Sequence, residues 1–144
     1  MESKYFHLSD ILSVTTSRLL SDIDGLYDIL NFLTGDNLCT HQLPRASDEC
    51  KPWLEHCFPS LCTPEMDIKV KDLVKMLNTN LGKKNPKMLI DGWLFTLTAK
   101  YGEMHEVPKM PAIFHKKKHP YIEMIEMMTK IEMIEMMTKI DPEK

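Results

Sequence analysis

Asp36 and His41 stand five residues apart in a polar block, Thr34–Ala46, that reads TGDNLCTHQLPRA. A carboxylate that orients an imidazole makes a general-base pair, and this is the one catalytic reading the block offers. Thr34, Asp36, Asn37, His41 and Arg45 can instead converge on a protein partner or an anion. A structural role competes with both: Asp36 and Asn37 supply turn hydrogen bonds, His41 and Gln42 cap the helix that follows, and Arg45 pairs with a buried acid. Polar residues packed this densely around one turn usually fasten it to a core, which favours structure over binding and binding over catalysis.

Cys39, Cys50, Cys57 and Cys62, with His41 and His56, place six soft ligands within a short stretch. Zinc takes four such ligands, but the spacing contains no CxxC pair. Reduced structural cysteines, and no metal or cofactor, are therefore expected. Other catalytic signatures are missing from the chain as well: it has no GxSxG, no GxGxxG, no phosphate-binding GxxxxGK[ST] and no HExxH. The run His115-Lys116-Lys117-Lys118-His119 reads as a basic surface loop, because its lysines repel a metal cation. A protein that binds, and is not an enzyme, is the expectation.

The block belongs to a longer pattern. Val14-Thr15-Thr16-Ser17-Arg18-Leu19-Leu20, then Asp24-Gly25-Leu26-Tyr27-Asp28-Ile29-Leu30-Asn31, lead into TGDNLCTHQLPRA. This VTTxRLL…DGLYxILNxxTGDNLxTHQLPRA core resembles an uncharacterised family of small proteins encoded by bacteriophages and prophages. The resemblance reaches more loosely from about Leu8 to Met128 and includes KYGEMHEV at Lys100–Val107. The family has no agreed activity, but together with the lack of catalytic motifs the resemblance implies a small accessory protein that binds a host protein complex and modulates or inhibits it. Antagonism of a defence system such as CRISPR is one concrete version.

Charge sharpens that expectation. The net charge of −3 over 144 residues hides a balance of −7 in residues 1–68, +7 in residues 69–118 and −3 beyond. An acidic half can mask a basic, nucleic-acid-binding surface of a partner. The candidate partner-binding residues are Asp22, Asp24, Asp28, Asp36, Asn37, His41, Arg45 and Asp48. The alternative is a small nucleic-acid-binding regulator that uses the basic region through Lys83, Lys84, Lys87, Lys116, Lys117 and Lys118. No apolar run approaches a membrane span, and MESKYFHLSD has no apolar signal region, so a cytoplasmic protein without membrane contact is expected.

A hydrophobic content of 43% suffices for one core. Apolar spacing predicts a helix from Ser9 or Asp10 to about Leu20, and a second over Gly25–Leu33 that Gly35 ends. A third begins near Pro44 and is kinked or restarted at Pro52. Thr63-Pro64-Glu65 starts a fourth that runs to about Asn78, Leu81–Asn85 reads as a polar loop, and Pro86–Tyr101 forms a last long helix. Pro108 and Pro111 argue against a central strand, leaving at most a short strand pair near 104–110. The fold class is mainly all-α: a bundle of five or six helices over residues 1–121, followed by a Met-rich helix over 122–144.

That last segment holds an identical tandem repeat, IEMIEMMTK, at 122–130 and 131–139. Nine residues advance an α-helix by about 900°, half a turn beyond two full turns. A continuous helix would therefore present its two copies on opposite faces. Either two surfaces clamp it, or Ile131, Met133, Ile134, Met136 and Met137 are left for self-association, the third functional expectation. A slippage duplication with no role of its own is the competing account.

Overall fold

The structure, a computed structural model, describes residues 2–126. Its elements are β1 (Ser3–His7), α1 (Leu8–Thr15), α2 (Ile23–Thr34), α3 (Leu43–Cys57), α4 (Pro64–Leu77), α5 (Asn80–Lys84), α6 (Pro86–Tyr101) and β2 (Met104–Pro108). Residues 120–126 are again helical. The mainly helical class with one short strand pair matches the expectation from sequence. Ile131, Met133, Ile134, Met136 and Met137 lie outside the described residues.

α1 is the centre of the molecule. Leu8, Ile11, Leu12 and Val14 are fully buried, and the helix packs against α2, α3, α6 and β1. It starts one residue before the predicted Ser9: His7 is the N-cap, its Nδ1 accepting from the Ser9 N–H at 3.0 Å. It also ends at Thr15, well short of Leu20. The Thr15-Thr16-Ser17 run explains this, because β-branched and hydroxyl side chains offer the backbone alternatives to helix. Ser17 turns to a φ of 57°, and the Ser13 hydroxyl accepts the Leu20 N–H at 2.9 Å. The chain thus folds back, Leu20 enters the core and Leu19 stays outside.

Local signals set most other boundaries. The Asp22 carboxylate caps α2 by accepting from the Gly25 N–H, and Gly35 closes that helix in the left-handed region at φ 69°. Thr63 caps α4, with Pro64 at the first helical position. α3 runs unbroken through Pro52. The expected loop at Leu81–Asn85 is instead the short helix α5, capped by Thr79 and packed so closely that a Cβ on Gly82 would lie 2.2 Å from the Met76 carbonyl oxygen.

β1 and β2 pair antiparallel, with Ser3 opposite Pro108 and His7 opposite Met104. The pair alternates as a half-buried ribbon should: Phe6 and Val107 enter the core while Tyr5 and Met104 face outward. Pro108 sits at the end of an edge strand, where its missing N–H costs little.

Candidate functional site

The polar block folds into the junction between α2 and α3 and there binds residues 115–123. Gln42 turns back to accept the Cys39 N–H at 2.9 Å, closing a 3₁₀ turn over Thr40–Gln42. Its amide then donates to Glu123 at 2.7 Å. His41 Nε2 lies 2.7 Å from the Pro120 carbonyl oxygen. Arg45 makes a forked pair with Glu123, Nε to Oε1 at 2.5 Å and an Nη to Oε2 at 3.1 Å. Its other Nη reaches Glu49 at 2.9 Å and the Lys116 carbonyl at 2.7 Å.

His115 completes the clasp. Its Nδ1 lies 2.7 Å from Glu49 and its Nε2 lies 3.1 Å from Asp36, with only 5% of its side chain exposed. His115, expected on a basic surface loop, instead has its side chain buried between Glu49 and Asp36. Glu123, in the first copy of the repeat, is buried, and the guanidinium of Arg45 holds its carboxyl down to about 2.

This geometry separates the Asp36–His41 pair. Asp36 turns to His115 and to the Asn37 N–H, whereas His41 turns to the Pro120 carbonyl. Thr34 bonds the Leu30 carbonyl within its own helix. Of the candidate partner-binding residues, Asp36, His41 and Arg45 thus spend their polar atoms inside the chain, and Asn37 gives its N–H to the Asp36 turn.

The other acids gather elsewhere. Asp22, Asp24 and Asp28 line a cleft of about 1110 Å³ bounded by α1, the start of α2 and α6. Asp10, Asp91 and Glu103 bring its carboxylates to six, against Lys87 and His7. Between them lie Leu19, Ile90, Leu94 and Phe95, and Phe95 is 77% exposed. Asp10 is the deepest acid: burial pushes its carboxyl up, partly offset by a bond from Ser21. Such a surface repels phosphate and accepts cationic groups with apolar neighbours. Asp22, Asp24 and Asp28 are legible in the sequence as an acidic cluster, whereas nothing local places Asp91 or Phe95 of α6 opposite them. Asp48 stands apart on the outer face of α3.

The basic candidates fall into two groups. Lys83, Lys84 and Lys87 are exposed where α5 meets α6, whereas Lys116–Lys118 belong to the segment clasped against α3. In that segment Lys118 pairs with Glu126 at 2.9 Å. Lys87 also lines the cleft, where six carboxylates outnumber it.

Among the described residues, no group of three or more His, Cys, Asp or Glu side chains is placed to hold a metal ion. The four cysteines are free thiols, and burial pushes Cys50 up to about 12. None of the described helices is long and apolar enough to cross a membrane.

No curated protein and no solved structure matches the chain. Over residues 6–64, from the buried Phe6 of β1 to the first residue of α4, the chain matches the family described as Domain of unknown function (DUF7736), a span that holds the whole polar block and the Asp22–Asp28 side of the cleft but neither α6 nor the clasped segment.

Proposed function

We propose that the protein is a non-catalytic binding module of phage or prophage origin that acts in the host cytoplasm by engaging and modulating a host protein complex. Inhibition of a defence assembly such as CRISPR is its concrete form. The observation that carries this reading is the cleft between α2 and α6, with six carboxylates around an apolar floor. Acid rims steer basic partners and set orientation, while exposed aromatic and aliphatic side chains such as Phe95 supply the anchoring area. The separation of Asp36 from His41 also supports a role without catalysis.

The test is a tagged pull-down from nuclease-treated host lysate, repeated with Asp24→Lys/Asp28→Lys/Asp91→Lys, which spares the Asp22 cap. The expected result is one stoichiometric host complex that is lost with rising salt and absent from the triple variant. Capture that survives both changes would refute the cleft as the binding surface.

A second reading, nucleic-acid binding, draws on the exposed Lys83, Lys84 and Lys87 at the α5–α6 corner. It requires an electrophoretic shift whose log affinity falls linearly with log salt. Self-assembly through the repeated segment is the third, and deletion of residues 131–140 would then lower the light-scattering mass.

A further inference from the structure

Away from the cleft, the outer face of α3 carries Asp48, Glu49, Pro52, Trp53 and His56. Phe114, from the 3₁₀ turn Ala112–Phe114, closes against them to form a pocket of about 430 Å³ with an almost wholly carbon wall. It shares no lining residue with the acidic cleft.

The pocket is held in shape before anything enters it. Trp53 Nε1 donates to the Pro108 carbonyl at 2.9 Å, which ties the indole to the end of β2. The His56 ring lies 6.0 Å from the indole at an interplanar angle of 33°. Phe114 is more than half exposed, yet its backbone is anchored by the next two residues, since His115 bonds Glu49 and Asp36 and the Lys116 N–H donates to Glu49 at 2.8 Å. An exposed aromatic on so constrained a turn loses little freedom when a ligand covers it.

Charge selects the ligand. Both Glu49 oxygens are engaged, one by His115 and the other by Arg45 and the Lys116 N–H. Asp48 is exposed at the rim and, among the described residues, makes no ion pair. Aromatic faces are electronegative, so indole and phenyl rings beside a free carboxylate favour a cation and disfavour an anion. Guanidinium suits such a pocket better than ammonium: it is planar, stacks on rings, is weakly hydrated and can bond a carboxylate with two N–H groups.

We propose that this pocket receives an arginine side chain from a protein partner, the guanidinium lying against the Trp53 and Phe114 rings and donating to Asp48. This deepens the binding reading by naming a side chain of the partner.

The experiment follows the Trp53 indole N–H by NMR while N-acetylarginine amide is added to the full chain. N-acetylcitrulline amide, its neutral isostere, and N-acetyllysine amide are the comparisons. Arginine should shift the signal saturably, with citrulline weaker by about tenfold or more and lysine between them. Asp48→Asn and Phe114→Ala alter only exposed side chains, and each should weaken arginine by roughly fivefold. Equal binding of arginine and citrulline would overturn the proposal, as would no shift with arginine, or affinity unchanged in both variants. The titration involves no host complex, so its failure is distinguishable from an empty pull-down.

Discussion

Arg45 and Glu123, 78 residues apart in the chain, meet in a two-pronged ion pair that fastens residues 115–123 across the α2–α3 junction. The pair is desolvated on the Glu123 side and supported by Gln42 and Glu49, so removing one charge strands the other. Glu123→Gln should cost about 2–3 kcal/mol in urea unfolding. Arg45→Lys should cost nearly as much, because an ammonium cannot reproduce the fork. Release of the clasp should also speed tryptic cleavage after Lys116–Lys118. An unchanged midpoint and cleavage rate in Glu123→Gln would mean the clasp contributes nothing to the fold.

Acid should open the same clasp. Bonds from Arg45 and Gln42 hold the Glu123 carboxyl down to about 2 from an ordinary 4.5. Burial raises Asp36, but bonds from His115 and the Asn37 N–H outweigh it and leave that carboxyl lowered. A carboxylate depressed on folding stabilises fully above its unfolded value and loses that contribution as pH falls toward its folded value. Wild type should therefore lose stability steeply between about pH 4.5 and pH 2, and Glu123→Gln should show a shallower acid limb over that window. Parallel acid limbs in urea titrations of the two proteins would exclude Glu123 as a source of the slope.

What the sequence disclosed of this fold is its local chemistry. Gly35 and Thr63-Pro64 act on groups within four residues, and each marks its helix end where the pattern places it, whereas α2 starts at Ile23 under the Asp22 cap, two residues before the expected Gly25. The end of α1 is not legible in the apolar pattern, because Leu19 and Leu20 continue the stripe while Ser13 and Ser17 turn the chain through backbone bonds that hydropathy ignores. Strand β1 was hidden because Ser3–His7 only gains a partner from β2, about a hundred residues later. The density of polar residues around Asp36 did announce a fastened turn, but not its counterpart. Glu123 lies in a repeat whose pattern draws attention to its Ile and Met residues, and His115 stands in a lysine run that reads as a surface loop.

Cysteine reactivity should follow burial. Cys39 is exposed, Cys57 and Cys62 are partly covered, and Cys50 is fully buried. Burial pushes the thiols of Cys57 and Cys62 upward and that of Cys50 to about 12, so little nucleophilic thiolate forms there near neutral pH. One equivalent of maleimide should modify Cys39, and Cys50 should react only after denaturant is added. Peptide mapping by mass spectrometry checks the order. Early labelling of Cys50 would show that α3 does not pack against α1 and α2 as described.

Gly25 and Asp10 should be coupled, with a change of sign between backgrounds. A Cβ on Gly25 would lie 2.3 Å from the Asp10 carboxylate oxygen. That oxygen ends a side chain that must move, away from its bond to Ser21, so Gly25→Ala should cost about 1–2 kcal/mol in wild type. Asp10→Ala removes the obstruction, and it also removes a carboxyl that burial holds above its ordinary value. An acid raised on folding subtracts stability at any pH above its folded value, so Asp10→Ala costs least at neutral pH. In the Asp10→Ala background the nearest remaining group is the Ser21 Oγ, 3.1 Å from the new Cβ, which a χ1 rotation can withdraw, so Gly25→Ala within a helix should then stabilise by roughly 0.5–1 kcal/mol. Urea midpoints of the four proteins form the double-mutant cycle. Equal effects of Gly25→Ala in both backgrounds would place the strain in the α2 backbone and free Asp10 from any part in shaping the floor of the acidic cleft.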